Sequence, residues 1–103
     1  MNVLPEFDPL FHQPVRTRLS ILLYVKGESF ADLKSKLSIT DGNLDAHLKK
    51  LSAAGFIESE MVIGDTQKST RPYTVYELSP SGKKAFKKYL KALEDVLKLT
   101  QKK

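Results

Sequence analysis

Seven residues of one short stretch, Thr40, Asp41, Gly42, Asn43, Ala46, Lys49 and Lys50, combine side chains suited to reading a nucleic acid. A carboxamide such as that of Asn43 pairs with a base edge, and lysines reach phosphate oxygens. The small Gly42 and Ala46 let a backbone approach a groove floor. A second group, Lys68, Ser69, Thr70 and Arg71, sets two cations beside two hydroxyls. That composition suits a minor groove and its phosphates. Other chemistry is poorly provided for. Two histidines lie far apart, and there is no cysteine, no phosphate-binding glycine loop and no nucleophile motif. An enzyme is therefore not expected. Asp8 and His12 stand four apart, but two ligands on a terminal arm do not make a metal site. No metal and no cofactor are expected. His47 reads as a half-buried histidine bonded to a neighbouring polar group, with a ligand or phosphate contact as the alternative.

The first group needs a helix to present it. Residues 29–55, SFADLKSKLSITDGNLDAHLKKLSAAG, read as two short helices joined by a tight turn. Ser29 is the N-cap candidate of the first, with Asp32 three residues on. Phe30, Leu33 and Leu37 share its apolar face. Thr40 is the N-cap candidate of the second, with Asp41 in the first turn, where the helix dipole favours an acid. Leu44, Leu48 and Leu51 form its buried stripe. At about 100° per residue, Gly42, Ala46 and Lys49 fall opposite, with Asn43, Asp45 and Lys50 beside them. Gly55 is the expected stop.

The second group needs a hairpin. Residues 56–63 and 73–78 are rich in β-formers, and GDTQKSTRP links them. The hairpin segment spans residues 56–78. Tyr76 and Leu78 are expected to face the core, and Val75 and Glu77 to face away.

Two outer helices complete the plan. Residues 1–13 form an extended arm with one short turn at Asp8 to Phe11. Pro14 suits the first position of a helix over residues 14–25. That helix is apolar on several sides, so a second chain is expected to cover part of it. Ser79-Pro80 opens a final helix over residues 79–100. Phe86, Leu90, Leu93 and Leu97 recur at spacings of four, three and four, the seam of a helix packed along another. Tyr89 and Val96 widen it. With Leu19, Leu22 and Leu23 of the first helix, these residues are the expected interface of a two-fold homodimer. Arg16 and Arg18 are expected in surface ion pairs, with phosphate contact as the alternative.

The totals agree. A chain of 103 residues, 41% hydrophobic and 28% charged, suits one domain with one core. The net charge of +5 is unevenly placed: residues 80–103 hold eight lysines and two acids, whereas residues 29–55 hold four lysines and three aspartates. The absence of cysteine fits a reducing interior. No apolar run reaches the roughly 20 residues of a membrane span, and no signal pattern opens the chain. A cytoplasmic protein with no membrane contact is expected.

The fold class is thus mainly α with a small β-hairpin: a winged helix-turn-helix with a long C-terminal helix. The order of elements resembles the winged-helix regulators of the MarR and ArsR type. FDPLFHQPVRTRLSILLYV is similar to the opening of a small MarR-like family, the winged-helix DNA-binding domain. LSITDGNLDAHLKKLSAAGFIE resembles its helix-turn-helix, and TVYELSPSGKKAF its second wing strand and the start of its last helix. The resemblance covers about residues 7–97. It implies a dimeric transcriptional regulator of double-stranded DNA. Thr40 to Lys50 would enter the major groove, and Lys68 to Arg71 would form the wing tip. ArsR-type metal sensors carry a cysteine pair that this chain lacks. The resemblance leaves the effector, the operator and the sign of regulation open. The rival reading is a protein-interaction module that keeps the winged shape without reading DNA; Asp41 and Asp45 are its support.

Overall fold

The computed structural model describes residues 4–63 and 71–101. Its elements run α1 (Pro14–Val25), β1 (Glu28–Ser29), α2 (Phe30–Leu37), α3 (Asp41–Ala53), β2 (Ile57–Ile63), β3 (Pro72–Leu78) and α4 (Pro80–Gln101). The expected hairpin is present. It is extended to three antiparallel strands, in the order β1-β3-β2, by a two-residue strand that the sequence reading lacked. Glu28 pairs with Tyr76 and Ser29 with Val75.

Local chemistry explains the helix boundaries. Ser29 Oγ accepts the Asp32 N–H at 3.1 Å and Thr40 Oγ1 accepts the Asn43 N–H at 3.1 Å, so each helix of the pair starts on a side-chain cap. Ser38 ends α2 in the left-handed region, with φ 54°. Two N–H groups, of Ser38 and Ile39, return to Lys34 O there. Gly55, with φ 76°, turns the chain out of α3 at little steric cost.

The core is one cluster. Leu33 and Leu37 of α2, Leu44, Leu48 and Leu51 of α3, Leu78 of β3 and Phe86 of α4 meet in it. The N-terminal turn contributes its centre. His12 N–H bonds to Asp8 O at 2.9 Å, Leu10 N–H bonds to Asp8 Oδ1 at 2.9 Å, and the turn drives Phe11 fully inside. Phe11 stacks on Phe56 at 5.4 Å and tilts against Phe86 at 5.1 Å.

A serine cluster fixes α4 to this core. Ser79 Oγ accepts the Gly82 N–H at 3.0 Å and donates to Gly55 O at 2.6 Å, while Ser79 N–H bonds to Phe56 O at 2.9 Å. The start of α4 is thereby held against the turn that leaves α3. Val75, expected to face away, is half-buried because Gly27 lies against it; a Cβ on Gly27 would stand 2.8 Å from Val75 Cγ1.

The expected dimer residues divide in two. Leu19, Leu23, Phe86 and Tyr89 are sealed in the chain's own core, at most 4% exposed. A side chain with no surface left can add none to an interface, so these four are corrected to core residues. Leu22, Leu93 and Val96 are half-buried. Leu90 and Leu97 are 38% and 55% exposed. Ala92 is the last buried residue of α4, and the helix continues beyond it with Leu97 and Leu99 in the open. No described helix is long and apolar enough to cross a membrane.

Candidate nucleic-acid interface

The geometry of α3 follows from its three leucines. Leu44 and Leu51 are fully buried and Leu48 nearly so. A helix that turns those positions inward must turn the opposite ones out. Thr40, Asp41, Gly42, Asn43, Ala46, Lys49 and Lys50 are all exposed. Gly42 has nothing within 4 Å of where a Cβ would stand, so packing does not require glycine there, and the first turn of α3 offers bare backbone to solvent.

The charges on this surface are sorted. On one flank, Asp41 pairs with Lys34 of α2 at 2.9 Å and Asp45 pairs with Lys49 at 2.9 Å. The hydrogen bond and charge of Asp45 raise the pKa of Lys49. Both aspartates of the helix are thus neutralised by lysines. The other flank carries Asn43, His47 and Lys50. His47 Nδ1 lies 3.1 Å from Arg16 Nη1 of α1. Arg16 was expected in a surface ion pair. It instead donates to main-chain carbonyls, to Leu10 O at 2.6 Å and Pro9 O at 3.5 Å, and to this histidine. Burial, then the positive charges of Arg16 and Lys50, push the pKa of His47 below its usual value. His47 is thus half-buried and bonded to a polar group, as expected, but sequence reasoning did not name Arg16 as its partner, because 31 positions separate the two and no local pattern marks such a pair.

The wing is polarised as well. Antiparallel partners share a face, so Ile57, Ser59, Met61 and Ile63 lie with Leu78, Tyr76, Thr74 and Pro72, whereas Glu58 and Glu60 lie with Glu77 and Val75. The first face enters the core at its base and leaves Met61 and Ile63 exposed further out. The second is acidic. Arg71 is exposed immediately before β3; Lys68, Ser69 and Thr70 lie outside the described residues.

Elsewhere, an open groove of about 660 Å³ runs between the N-terminal turn and α4, lined by Phe7, Asp8, Lys88 and Tyr89 among others. His12 stacks on Phe7 at 4.8 Å and its Nδ1 lies 2.9 Å from Tyr89 Oη. Among the described residues, no group of three or more side chains is placed to hold a metal ion.

A family profile described as a winged helix DNA-binding domain matches residues 15–97. The chain belongs to that family. Within the winged helix DNA-binding domain family, α2 and α3 are its helix-turn-helix and the β2–β3 hairpin is its wing. The chain is 40% identical over 85 residues to an uncharacterised protein of Methanocaldococcus jannaschii, covering 79% of this chain and 85% of that one. It superposes with a TM-score of 0.78 on a transcriptional regulator homologue from Pyrococcus horikoshii, at 30% identity over 90% of this chain and 89% of that chain. It also has the fold of a protein assigned to the MarR family of transcriptional regulators from Enterococcus faecalis, with a TM-score of 0.75, 17% identity, and 89% and 80% coverage. The MarR-like and ArsR-like reading of the sequence stands.

Proposed function

We propose that this DNA-binding domain acts as a dimeric, sequence-specific transcriptional regulator. In this reading α3 enters the major groove, with Asn43 and Gly42 toward the bases and Lys49 and Lys50 toward phosphates. The wing reaches the flanking minor groove with its tip. One observation carries the reading: the outward face of α3 is uncovered along its whole length while its leucine face is sealed. The kinship with a protein described as a transcriptional regulator homologue supports the regulatory role. The dimer forms through the outer part of α4, where Leu90, Leu93, Val96 and Leu97 remain available. A two-fold pair of reading helices then implies a palindromic site with half-sites about one helical turn apart.

Selection of bound duplexes from random sequence, followed by a gel-shift titration, tests the reading. An enriched palindromic motif is the expected result. A selection that enriches no motif, with binding equal on all duplexes, would overturn it and favour a winged module that binds other proteins.

A further inference from the structure

Arg16 ties three parts of the chain together. Its Nε donates to Leu10 O at 2.6 Å, and its two terminal nitrogens reach Pro9 O at 3.5 Å and His47 Nδ1 at 3.1 Å. A guanidinium has five N–H donors and no acceptor. His47 Nδ1 must therefore be the acceptor, which puts the ring proton on Nε2 and aims it away from Arg16. Two guanidinium N–H groups are left over. Lys50 follows His47 on the same flank of α3, close enough for its charge to act on the ring.

Among the described residues, this cluster lacks an anion. The two aspartates of α3 lie on the opposite flank and are held by Lys34 and Lys49. Among the described residues, neither Arg16 nor Lys50 takes part in an ion pair. The groups that face His47 are Arg16 from α1, Lys50 and the neutral Asn43 from its own helix, and through Arg16 the carbonyls of the N-terminal turn. Each charged group among them is a cation. The cluster also adjoins the outward face of the reading helix.

We propose that Arg16, His47 and Lys50 form a cradle for a DNA backbone phosphate, and that His47 takes up a proton when the phosphate docks. The inference rests on the DNA-binding reading above and adds a site and a proton to it. A phosphodiester fits because its oxygens accept from spare guanidinium N–H groups, an imidazole N–H and an ammonium at once. Arg16 is held rigidly by carbonyls, so little of its freedom is lost on binding. The free protein keeps His47 neutral near neutrality, since burial and two cations oppose its charge. A phosphate oxygen seated between Arg16 and Nδ1 reverses that balance, since Nδ1 must then carry a proton to donate to it. Binding then consumes a proton. Affinity is highest at low pH and falls as pH rises through the window between the free and bound pKa values, by up to about tenfold per unit and per subunit.

The test uses the full chain with a duplex selected as above and an unrelated duplex, by fluorescence anisotropy across salt and from about pH 5.5 to 8. Wild-type affinity should fall several-fold over that range. His47→Gln should lose most of this pH dependence yet keep its preference for the selected duplex. His12, the other histidine, is intact in that variant. Arg16→Gln should weaken both duplexes alike, by about tenfold, with a salt slope shallower by about one phosphate per subunit. Arg16 also anchors the N-terminal turn, so thermal unfolding of that variant is followed in parallel. If it does not fold, His47→Gln and Lys50→Gln decide the question. Wild-type affinity, salt slope and pH dependence in both of those variants would overturn the cradle while leaving α3 as the reading helix. Failure of the wild type to bind any duplex would overturn the cradle and the regulator reading together.

Discussion

Asp45 holds the ammonium of Lys49 at 2.9 Å across one turn of α3, so one of the two outward lysines is already engaged before DNA arrives. The pair is exposed on both sides and adds little to stability. For binding it matters more, because a carboxylate that faces a phosphate backbone repels it. Asp45→Asn removes the repulsion and releases Lys49. We expect DNA affinity to rise several-fold at low salt, the gain shrinking as salt screens it, with the unfolding temperature unchanged. Lys49→Ala with Lys50→Ala should weaken binding without altering the oligomeric state. Gel-shift titrations at two salt concentrations and sedimentation read both outcomes. Unchanged affinity in the double variant would move the reading face elsewhere.

Gly82 is required by contact rather than by backbone angle. A Cβ there would lie 2.2 Å from Phe56 O and 2.9 Å from its carbonyl carbon. Main chain on both sides cannot yield locally, and the Ser79 cluster pins the same corner. Gly82→Ala should therefore cost about 3 kcal/mol or more, despite alanine's better helix propensity. Urea unfolding measures it. A variant as stable as wild type would mean that α4 can shift away from the α3–β2 turn.

Much of this architecture was legible in the sequence. The caps at Ser29 and Thr40, the leucine stripe from 44 to 51, the stop at Gly55 and the Pro14 and Pro80 helix starts depend on neighbours within four residues. Such signals are local, and they place the outward face of α3 directly. Features built by distant pairing were not legible. Strand β1 has two residues, too few for any periodicity, and it exists because Gly27 lets the chain lie against β3. Glu28 is buried there at 4% exposure with Lys36 at 2.6 Å, a pairing that composition cannot reveal. The four buried members of the expected dimer seam went astray for a related reason. Apolar spacing on a helix marks a contact face but not whose surface meets it. On α4 one stripe serves the chain's own core as far as Leu93 and opens beyond it, with Leu97 and Leu99 exposed.

That division predicts how α4 variants behave. Phe86→Ala opens a cavity beside Phe11 and Tyr24 and should destabilise the fold by about 3–5 kcal/mol. Leu90→Glu with Leu97→Glu touches only exposed positions, so it should leave the unfolding temperature nearly unchanged and convert a dimer to a monomer. DNA affinity should fall with it, since each half-site would then be bound alone. Light scattering after size exclusion distinguishes the cases. If the double glutamate variant stays dimeric, the pair forms through another surface, with exposed Ile21 and Val25 of α1 the next to be changed.

The ring of His47 also links pH to the stability of the DNA-free protein, with a sign that can be worked out. In the fold its pKa is lowered, first by burial and then by Arg16 and Lys50; in the unfolded chain it returns to its ordinary value of about 6.5. Near and below that value the unfolded chain binds more protons than the fold does. Stability from this group is therefore fully present above about pH 6.5 and is lost as pH falls through the lowered native pKa. Protonation costs the Arg16 bond as well, because a charged imidazole can no longer accept at Nδ1. The N-terminal turn, tied through Pro9 and Leu10 to the same guanidinium, should loosen with it. We expect the unfolding temperature to drop between neutral and mildly acidic pH, and His47→Gln to flatten that drop. The variant's carboxamide oxygen can still accept from Arg16 but takes up no proton. Added DNA should reverse the trend in the wild type, because the phosphate stabilises the charged ring that the free protein disfavours. Scanning calorimetry of both proteins, with and without duplex, measures the two slopes. Equal pH dependence in wild type and His47→Gln would mean that acid acts on the fold through other groups.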